Sequence, residues 1–170
     1  MNAFRFCPWC GGPLEDVGDE GGRLCRVDGR TWYRNPAPTV GAAIVRGGRA
    51  LVTVRAYDPE RGRFDVPGGF VKLDESPVEA LRREVEEELG ITIEVSDADF
   101  LQASKPHPYG DQGDVNLALG FAARLVSGEP RPADDVSDFR WVREQDLEGL
   151  DFAWEHDRDL VRKALRREET

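Results

Sequence analysis

At 170 residues and 39% hydrophobic content, the chain is long enough for one domain with a real core and too apolar to be disordered. Its net charge of −10 disfavours non-specific binding to nucleic acid, which needs a basic surface, but leaves a phosphate substrate open because a divalent cation reverses the local field. No apolar run nears the ~20 residues of a membrane span, the opening MNAFRFCPWC lacks the apolar core of a signal peptide, and three cysteines make a poor disulfide framework, so the expected compartment is the cytoplasm.

Residues 1–35 are rich in Gly and polar residues and carry Cys7, Cys10 and Cys25; RNPAP (Arg34–Pro38) reads as a stiff junction to a second unit, 36–170. TVGAAIV, a turn at RGGR and ALVTV predict a β-hairpin over Thr39–Val54. A loop (YDPERGR), a short strand (FDV) and a glycine turn (PGGF) follow. Ser76–Leu89 is a helix: Ser76-Pro77-Val78-Glu79 is a capping box with Pro at the first helical position, and Gly90 is a C-terminal stop. ITIEV is a strand, SKPHPYGDQGD (Ser104–Asp114) a long loop, and VNLALGFAARLV a half-buried strand with Val115, Leu117, Leu119, Phe121, Ala123 and Leu125 on its apolar face. DFRWV is another short strand, and Trp154 to about Arg167 an amphipathic helix burying Leu160, Val161, Ala164 and Leu165. The mixture predicts an α+β class, an α/β/α arrangement around a mixed sheet.

The first helix holds the sharpest chemical signal. Glu84, Glu86, Glu87 and Glu88 crowd its C-terminal end, where the helix dipole disfavours anions and like charges at i,i+4 repel. At about 100° per residue, Val78, Leu81, Val85 and Leu89 form the buried stripe, and Glu84, Glu87 and Glu88 converge in an arc of roughly 100° beside it. Glu86 lies on the other side. A solvated acidic face is one reading. A bound divalent cation, Mg²⁺ or Mn²⁺ by the hardness of the oxygen ligands, is the other, and it accounts for Arg83 and the glycine loop that flank the cluster.

GFVKLDESPVEALRREVEEELGI (Gly69–Ile91) resembles the Nudix box, G-x5-E-x7-R-E-U-x-E-E-x-G-U, at Gly69, Glu75, Arg83, Glu84, Val85, Glu87, Glu88, Gly90 and Ile91. VPGGF before the box, PYG in the later loop and FRWV extend the resemblance to the bacterial branch with an N-terminal zinc ribbon, related to NADH and ADP-ribose pyrophosphatases. It implies an α/β/α sandwich that hydrolyses a nucleoside diphosphate linked to another group. By resemblance Glu84 and Glu88 are the central metal ligands and Glu87 a further one. The resemblance also implies a backbone carbonyl near Gly68 or Gly69 as a candidate ligand, Arg83 as the group that orients the glutamates, and Glu75 as a brace for the loop. The resemblance places the general base at Asp135, six residues before Trp141, with Glu84 or a metal-bound hydroxide as the alternatives.

CPWC and Cys25 resemble a zinc ribbon, C-x2-C…C-x2-C, with Gly11 and Gly29 at the knuckle positions and Asp28 where the fourth cysteine is expected. Either zinc is held by three thiolates and Asp28, or the site has lost its metal and the knuckle persists by packing. SKPHPYG resembles the NADH-pyrophosphatase loop motif in part, with His107 in place of its Trp and Gly110 in place of its last Pro. His107 and Tyr109 either stack on a base or contact a ribose, or simply order the loop; Arg55 and Arg63 either meet the anionic end of the substrate or are surface charge. The resemblance implies ADP-ribose, NADH or a nucleotide sugar as substrate and, by analogy, a homodimer. The alternatives are a nucleoside triphosphate pyrophosphohydrolase and a non-catalytic ligand-sensing module on the same scaffold. Neither membrane nor nucleic acid is an expected partner.

Overall fold

The computed structural model of the chain describes residues 5–17, 21–110 and 114–168; residues 111–113 of the long loop lie outside that range. The cysteine-bearing segment folds as three antiparallel strands, β1 (Leu14–Val17), β2 (Gly22–Cys25) and β3 (Thr31–Tyr33), in that spatial order. Cys7, Leu14 and Cys25 are its buried apolar side chains, and Trp32 packs against them. So few apolar side chains make a small core for a separate layer.

The expected hairpin is present as β4 (Ala37–Val45) and β5 (Ala50–Arg55). FDV supplies β6 (Phe64–Asp65). The expected glycine turn is instead a strand, β7 (Gly68–Phe70), antiparallel to β4, and at Gly68, with φ 155°, a Cβ would strike the Val40 backbone. After α1 (Pro77–Leu89) come β8 (Thr92–Glu94), β9 (Phe100–Ala103), β10 (His107–Tyr109), β11 (Asp114–Ser127), β12 (Val136–Val142) and α2 (Glu155–Glu168). β9 was not expected from the sequence, and β10 forms inside the expected loop because His107–Tyr109 pairs with Asn116–Asp114. The central order is β10-β11-β4-β5-β12, parallel between β11 and β4 and antiparallel elsewhere, so the sheet is mixed and the class α+β.

The sheet lies between the two helices. Val40, Ala42 and Ile44 pack on Leu81, Val85 and Leu89 of α1, while Ala43 and Val45 face Leu160, Val161, Ala164 and Leu165 of α2. Each fully buried Leu or Val contributes roughly 1.5–3 kcal/mol. The second face of β11 is covered in part: Asn116 and Gly120 are buried, and a Cβ on Gly120 would lie 2.8 Å from Leu160 of α2, while Arg124 and Val126 on the same face are exposed. Among the described residues no helix is long and apolar enough to cross a membrane.

One irregularity creates the cleft. β4 and β5 pair only at Ile44–Leu51 and Val45–Ala50. Beyond that point Thr39–Gly41 of β4 pairs with β7, and Thr53–Val54 of β5 pairs with β6, so the sheet opens and residues 65–69 enter the gap. α1 abuts the opening. Its N-terminus carries the full capping box, with Glu79 N 3.3 Å from Ser76 Oγ and Ser76 N 2.7 Å from Glu79 Oε2. At its other end Gly90 is left-handed (φ 64°), and the carbonyls of Glu88 and Leu89 accept from Ala133 and Arg131, which ties the loop before β12 to the last helical turn.

Gly68 is the tightest point: a Cβ there would lie 2.0 Å from the Val40 carbonyl oxygen. Gly68→Ala is expected to lower the melting temperature by at least ~5 °C, since the clash is with backbone that cannot move aside. A thermal unfolding curve matching the parent would remove this constraint.

Candidate functional site

The cleft at the sheet opening has two ends. At the first, Arg83 organises the helix carboxylates. Its guanidinium holds Glu75 bidentately (2.6 and 3.0 Å), reaches Glu84 (2.7 Å) and Glu87 (3.1 Å), and donates to the Phe70 carbonyl (3.1 Å). Glu75 also accepts from the Lys72 amide, so it staples the loop between β7 and α1. The Arg83 fork and the Lys72 amide hold its carboxyl down at about 2. The Glu84 carboxylate lies against Gly69, where a Cβ would sit 2.4 Å from its oxygen.

Glu88 is the buried member, 6% exposed, and its carboxylate accepts from the Gly68 amide at 3.0 Å. Burial pushes its pKa well up; the amide opposes this, while the charges of Asp65, Glu84 and Asp135 add to it. Glu84, Glu88, Gly68, Gly69 and Asp135 all line the cleft. Glu87 does not: its side chain is 45% exposed at the rim, tied to Arg83. The expected three-glutamate convergence is thus two glutamates in the cleft, one outside, and Asp135 arriving from the facing loop.

At the second end the aromatic loop meets the start of α2. Tyr109 stacks on Trp154 (centroids 5.8 Å apart, planes at 21°), and His107 packs on His156 at 4.6 Å. Burial, then the neighbouring His107, lowers the His156 pKa to about 4, so the ring is neutral at pH 7. Arg55 lines the cleft, as the sequence alone allowed. Its guanidinium is bound to Asp65 (2.7 Å) and the Pro59 carbonyl (2.7 Å), and lies 4.8 Å over the Trp154 ring. Arg63 lies outside the cleft lining, paired with Asp151 (3.0 Å) and Glu60 (2.7 Å). Sequence reading missed Asp65, Asn116, Trp154, His156 and Asp157, all of which line the cleft. The usable signals were a lone Asn in an apolar strand and a Trp just ahead of a helix.

A third group stands apart in the N-terminal sheet. Cys7, Cys10, Cys25 and Asp28 bring their ligand atoms within 4.8 Å of one another and could hold a metal ion. Among the described residues this is the one such His/Cys/Asp/Glu group; the helix glutamates stand further apart. Two matching knuckles build it: Gly11 N donates to Cys7 O and Gly29 N to Cys25 O, each at 2.9 Å, with φ of 73° and 75° at the glycines. Cys7 Sγ lies 3.3 Å from Asp28 Oδ2 and also accepts from Trp32 Nε1 at 3.2 Å. The Gly12 amide pulls the Cys10 thiol down, but burial and the neighbouring Cys25, Asp28 and Cys7 outweigh it and push it up to about 12. A cation would remove that penalty, because thiolate is the ligand form.

Residues 35–164 match the NUDIX domain family. The chain is 30% identical over 168 residues to a protein named NAD-capped RNA hydrolase from Chromobacterium violaceum, covering 98% of this chain and 60% of that one. It is 29% identical over 120 residues to an ADP-ribose pyrophosphatase from Methanocaldococcus jannaschii, covering 71% of this chain and 69% of that one. The chain spans about half the length of the curated relatives of the first kind, from 47% in Pseudomonas aeruginosa to 60% in Chromobacterium violaceum. In fold, it is similar to a NUDIX hydrolase from Nitrosomonas europaea (TM-score 0.78, 23% identity, 98% of this chain and 93% of that one). It is also similar in fold to the NUDIX domain of Shewanella oneidensis NrtR, solved with ADP ribose (TM-score 0.63, 20% identity, 81% and 91%).

The Arg83–Glu75 fork makes a pH-dependent prediction. Glu75 has a folded pKa of about 2 against an ordinary 4.5, so its contribution to stability is present above 4.5 and is lost as pH falls towards 2. In Arg83→Ala the Glu75 carboxyl is expected to titrate nearer 4.5 by ¹³C NMR, and the melting-temperature gap from the parent to shrink between pH 4.5 and 2. A midpoint for Glu75 that does not move would dismiss the fork as its cause.

Proposed function

Because the chain belongs to the Nudix family, we propose that it hydrolyses the pyrophosphate bond of a nucleoside diphosphate joined to a second group, of the ADP-ribose, NADH or nucleotide-sugar type. The observation that carries this reading is Glu88: a carboxylate 6% exposed, bonded to one backbone amide and surrounded by the like charges of Asp65, Glu84 and Asp135. Such a group is costly unless a cation joins it. The donors at hand are hard oxygens, which suit Mg²⁺ or Mn²⁺. Glu84 and Glu88 would hold the ion, with Asp135 from the facing loop and Glu87 directly or through water. When bound, it neutralises the diphosphate oxygens and acidifies water.

The chain's own residues supply the rest. Arg83 orients Glu84 through a 2.7 Å ion pair, and Glu75 keeps Arg83 in place. Gly68 and Gly69 let the diphosphate approach the backbone beside Glu88. Asp135 accepts the proton of the attacking water: it lines the cleft, whereas Glu84 is engaged by Arg83. Tyr109 and Trp154 offer a flat surface to the organic end of the substrate. Two relatives' names, an NAD-capped RNA hydrolase and an ADP-ribose pyrophosphatase, favour dinucleotide-type diphosphates over nucleoside triphosphates. Cys7, Cys10, Cys25 and Asp28 would hold a structural zinc, separate from the catalytic ion because soft thiolates and hard carboxylates select different metals.

Product analysis after incubation with Mg²⁺ and ADP-ribose, NADH, a nucleotide sugar or a nucleoside triphosphate tests the activity. Glu88→Gln is expected to lower turnover at least ~100-fold with the fold intact, and Glu86→Gln to leave it near the parent rate. The reverse pattern would overturn the assignment of the helix face.

For the cysteine site, metal analysis of the purified chain is expected to find about one zinc. Cys7→Ser is expected to lower both zinc content and melting temperature. If the chain contains no zinc and the variant melts like the parent, the zinc reading is to be dropped.

A further inference from the structure

Two carboxyls meet in the wall of the cleft, and the proposed hydrolysis employs neither. Asp157, in the first turn of α2, is 5% exposed, and the side chain of Asp65, on β6, is 14% exposed. They are hydrogen-bonded to one another, so a proton lies between them. The surrounding donors show which of the two is the anion. Asp65 Oδ2 accepts from the Arg55 guanidinium at 2.7 Å, and Asp65 Oδ1 accepts from the Val66 amide at 2.8 Å. Both oxygens act as acceptors, as in a carboxylate, so Asp157 supplies the O–H. Burial, then the Asp65 charge, pushes the Asp157 pKa well up, while at Asp65 the Arg55 charge offsets part of the burial. His156 Nε2 lies 3.5 Å from Asp157 Oδ1, but that ring is neutral at pH 7 and gives no countercharge. The other charged and titratable groups at hand are Glu88 of α1, which feels the Asp65 charge, and His107 of β10 and Asp159 of α2, which act on His156.

The shared proton joins two elements. Asp157 follows Trp154 by one helical turn, and its amide donates to the Trp154 carbonyl at 3.2 Å. Arg55, held by Asp65 and by the Pro59 carbonyl, lies 4.8 Å over the Trp154 ring, and Tyr109 stacks on the same ring. The O–H of Asp157 therefore docks the first turn of α2 on β6 at the place where Arg55 and Tyr109 meet the indole. An ionised Asp157 would repel Asp65 and compete with it for Arg55, leaving an uncompensated buried charge.

We propose that Asp157 is a positioning residue: as a neutral acid it donates to Asp65 and so holds Trp154 beneath the Arg55 guanidinium and beside Tyr109. The proposal rests on the reading of Tyr109 and Trp154 as the surface for the organic end of the substrate, and it assigns what keeps that surface in place.

Substitution separates the donor from the charge, because Asp157→Asn keeps a donor and Asp157→Leu removes it. In NMR spectra of the full chain, cross-peaks between the Tyr109 and Trp154 rings are expected in the parent and in Asp157→Asn, and are expected to be lost in Asp157→Leu. By ¹³C NMR the Asp157 carboxyl is expected to titrate above its ordinary 3.8. A raised folded pKa gives stability that is complete below 3.8 and is lost as pH rises towards the folded value. Asp157→Asn cannot ionise, so its melting temperature is expected to exceed the parent's by a margin that widens from about pH 5 to about pH 8. If Asp157→Leu does not fold, the titration and this margin decide the question. With Mg²⁺ and ADP-ribose, the loss in Asp157→Leu is expected in KM, at least ~10-fold, rather than in kcat. A carboxyl midpoint at or below 3.8, a margin that does not widen, cross-peaks that survive in Asp157→Leu, or a loss confined to kcat would each overturn the proposal. Absence of any diphosphate hydrolysis removes the proposed reaction and leaves the two NMR readouts and the melting margin, which need no substrate, to decide Asp157.

Discussion

The cleft hangs on one hydrogen bond, from the Gly68 amide to the Glu88 carboxylate at 3.0 Å. It joins the last turn of α1 to a strand that exists only because Gly68 and Gly69 carry no side chains. A Cβ on Gly68 would strike Val40, and one on Gly69 would strike Glu84. The same helical turn is held from the other side by Ala133 and Arg131, which donate to the carbonyls of Glu88 and Leu89. Glu88 is thereby fixed between β7 and the loop that brings Asp135, although its charge has no basic partner in contact. A carboxyl buried in this way does not serve stability, since an apolar residue of similar size would hold the core at lower cost.

Arg83 resolves the crowding of carboxylates at the end of α1. One guanidinium engages Glu75, Glu84 and Glu87, so much of the repulsion is screened within the protein. It does not reach Glu88. The divergence of β4 from β5 then sets the length of the site. With the sheet closed along its whole length, the carboxylates of α1 would be walled off from the aromatic cluster at the start of α2. The opening connects them, and Asp65 and Arg55 lie along its wall. A ligand with an anionic centre and a flat organic end matches this polarity.

The N-terminal sheet follows a different logic. Its buried apolar side chains are two cysteines and Leu14, with Trp32 packed against them, too little apolar area for three strands to stand on hydrophobic burial alone. Two identical glycine knuckles aim three thiols and a carboxylate at one point. That geometry suits cross-linking by a metal better than it suits packing.

Local chemistry was legible in the sequence wherever it is written in consecutive residues. The capping box at Ser76, the stop at Gly90, the stripe from Val78 to Leu89, the amphipathic α2 and the β4–β5 hairpin all depend on neighbours a few positions away, and all are present. The helical spacing of Glu84 and Glu88, beside Arg83, likewise pointed to the cleft, with Glu75 just ahead of the helix. Tertiary structure alone decided the rest. Glu87 leaves the cleft because Arg83 draws it to the rim. Arg55 is paired with Asp65, ten residues away in the chain, and β11 is covered on its second face at Asn116 and Gly120, where α2 folds back over the strand. The aromatic and polar end of the cleft assembles β6, β10, β11 and the start of α2, residues from 65 to 157. No periodicity encodes that meeting, because it is the divergence of two paired strands, not the pattern of either, that brings them together.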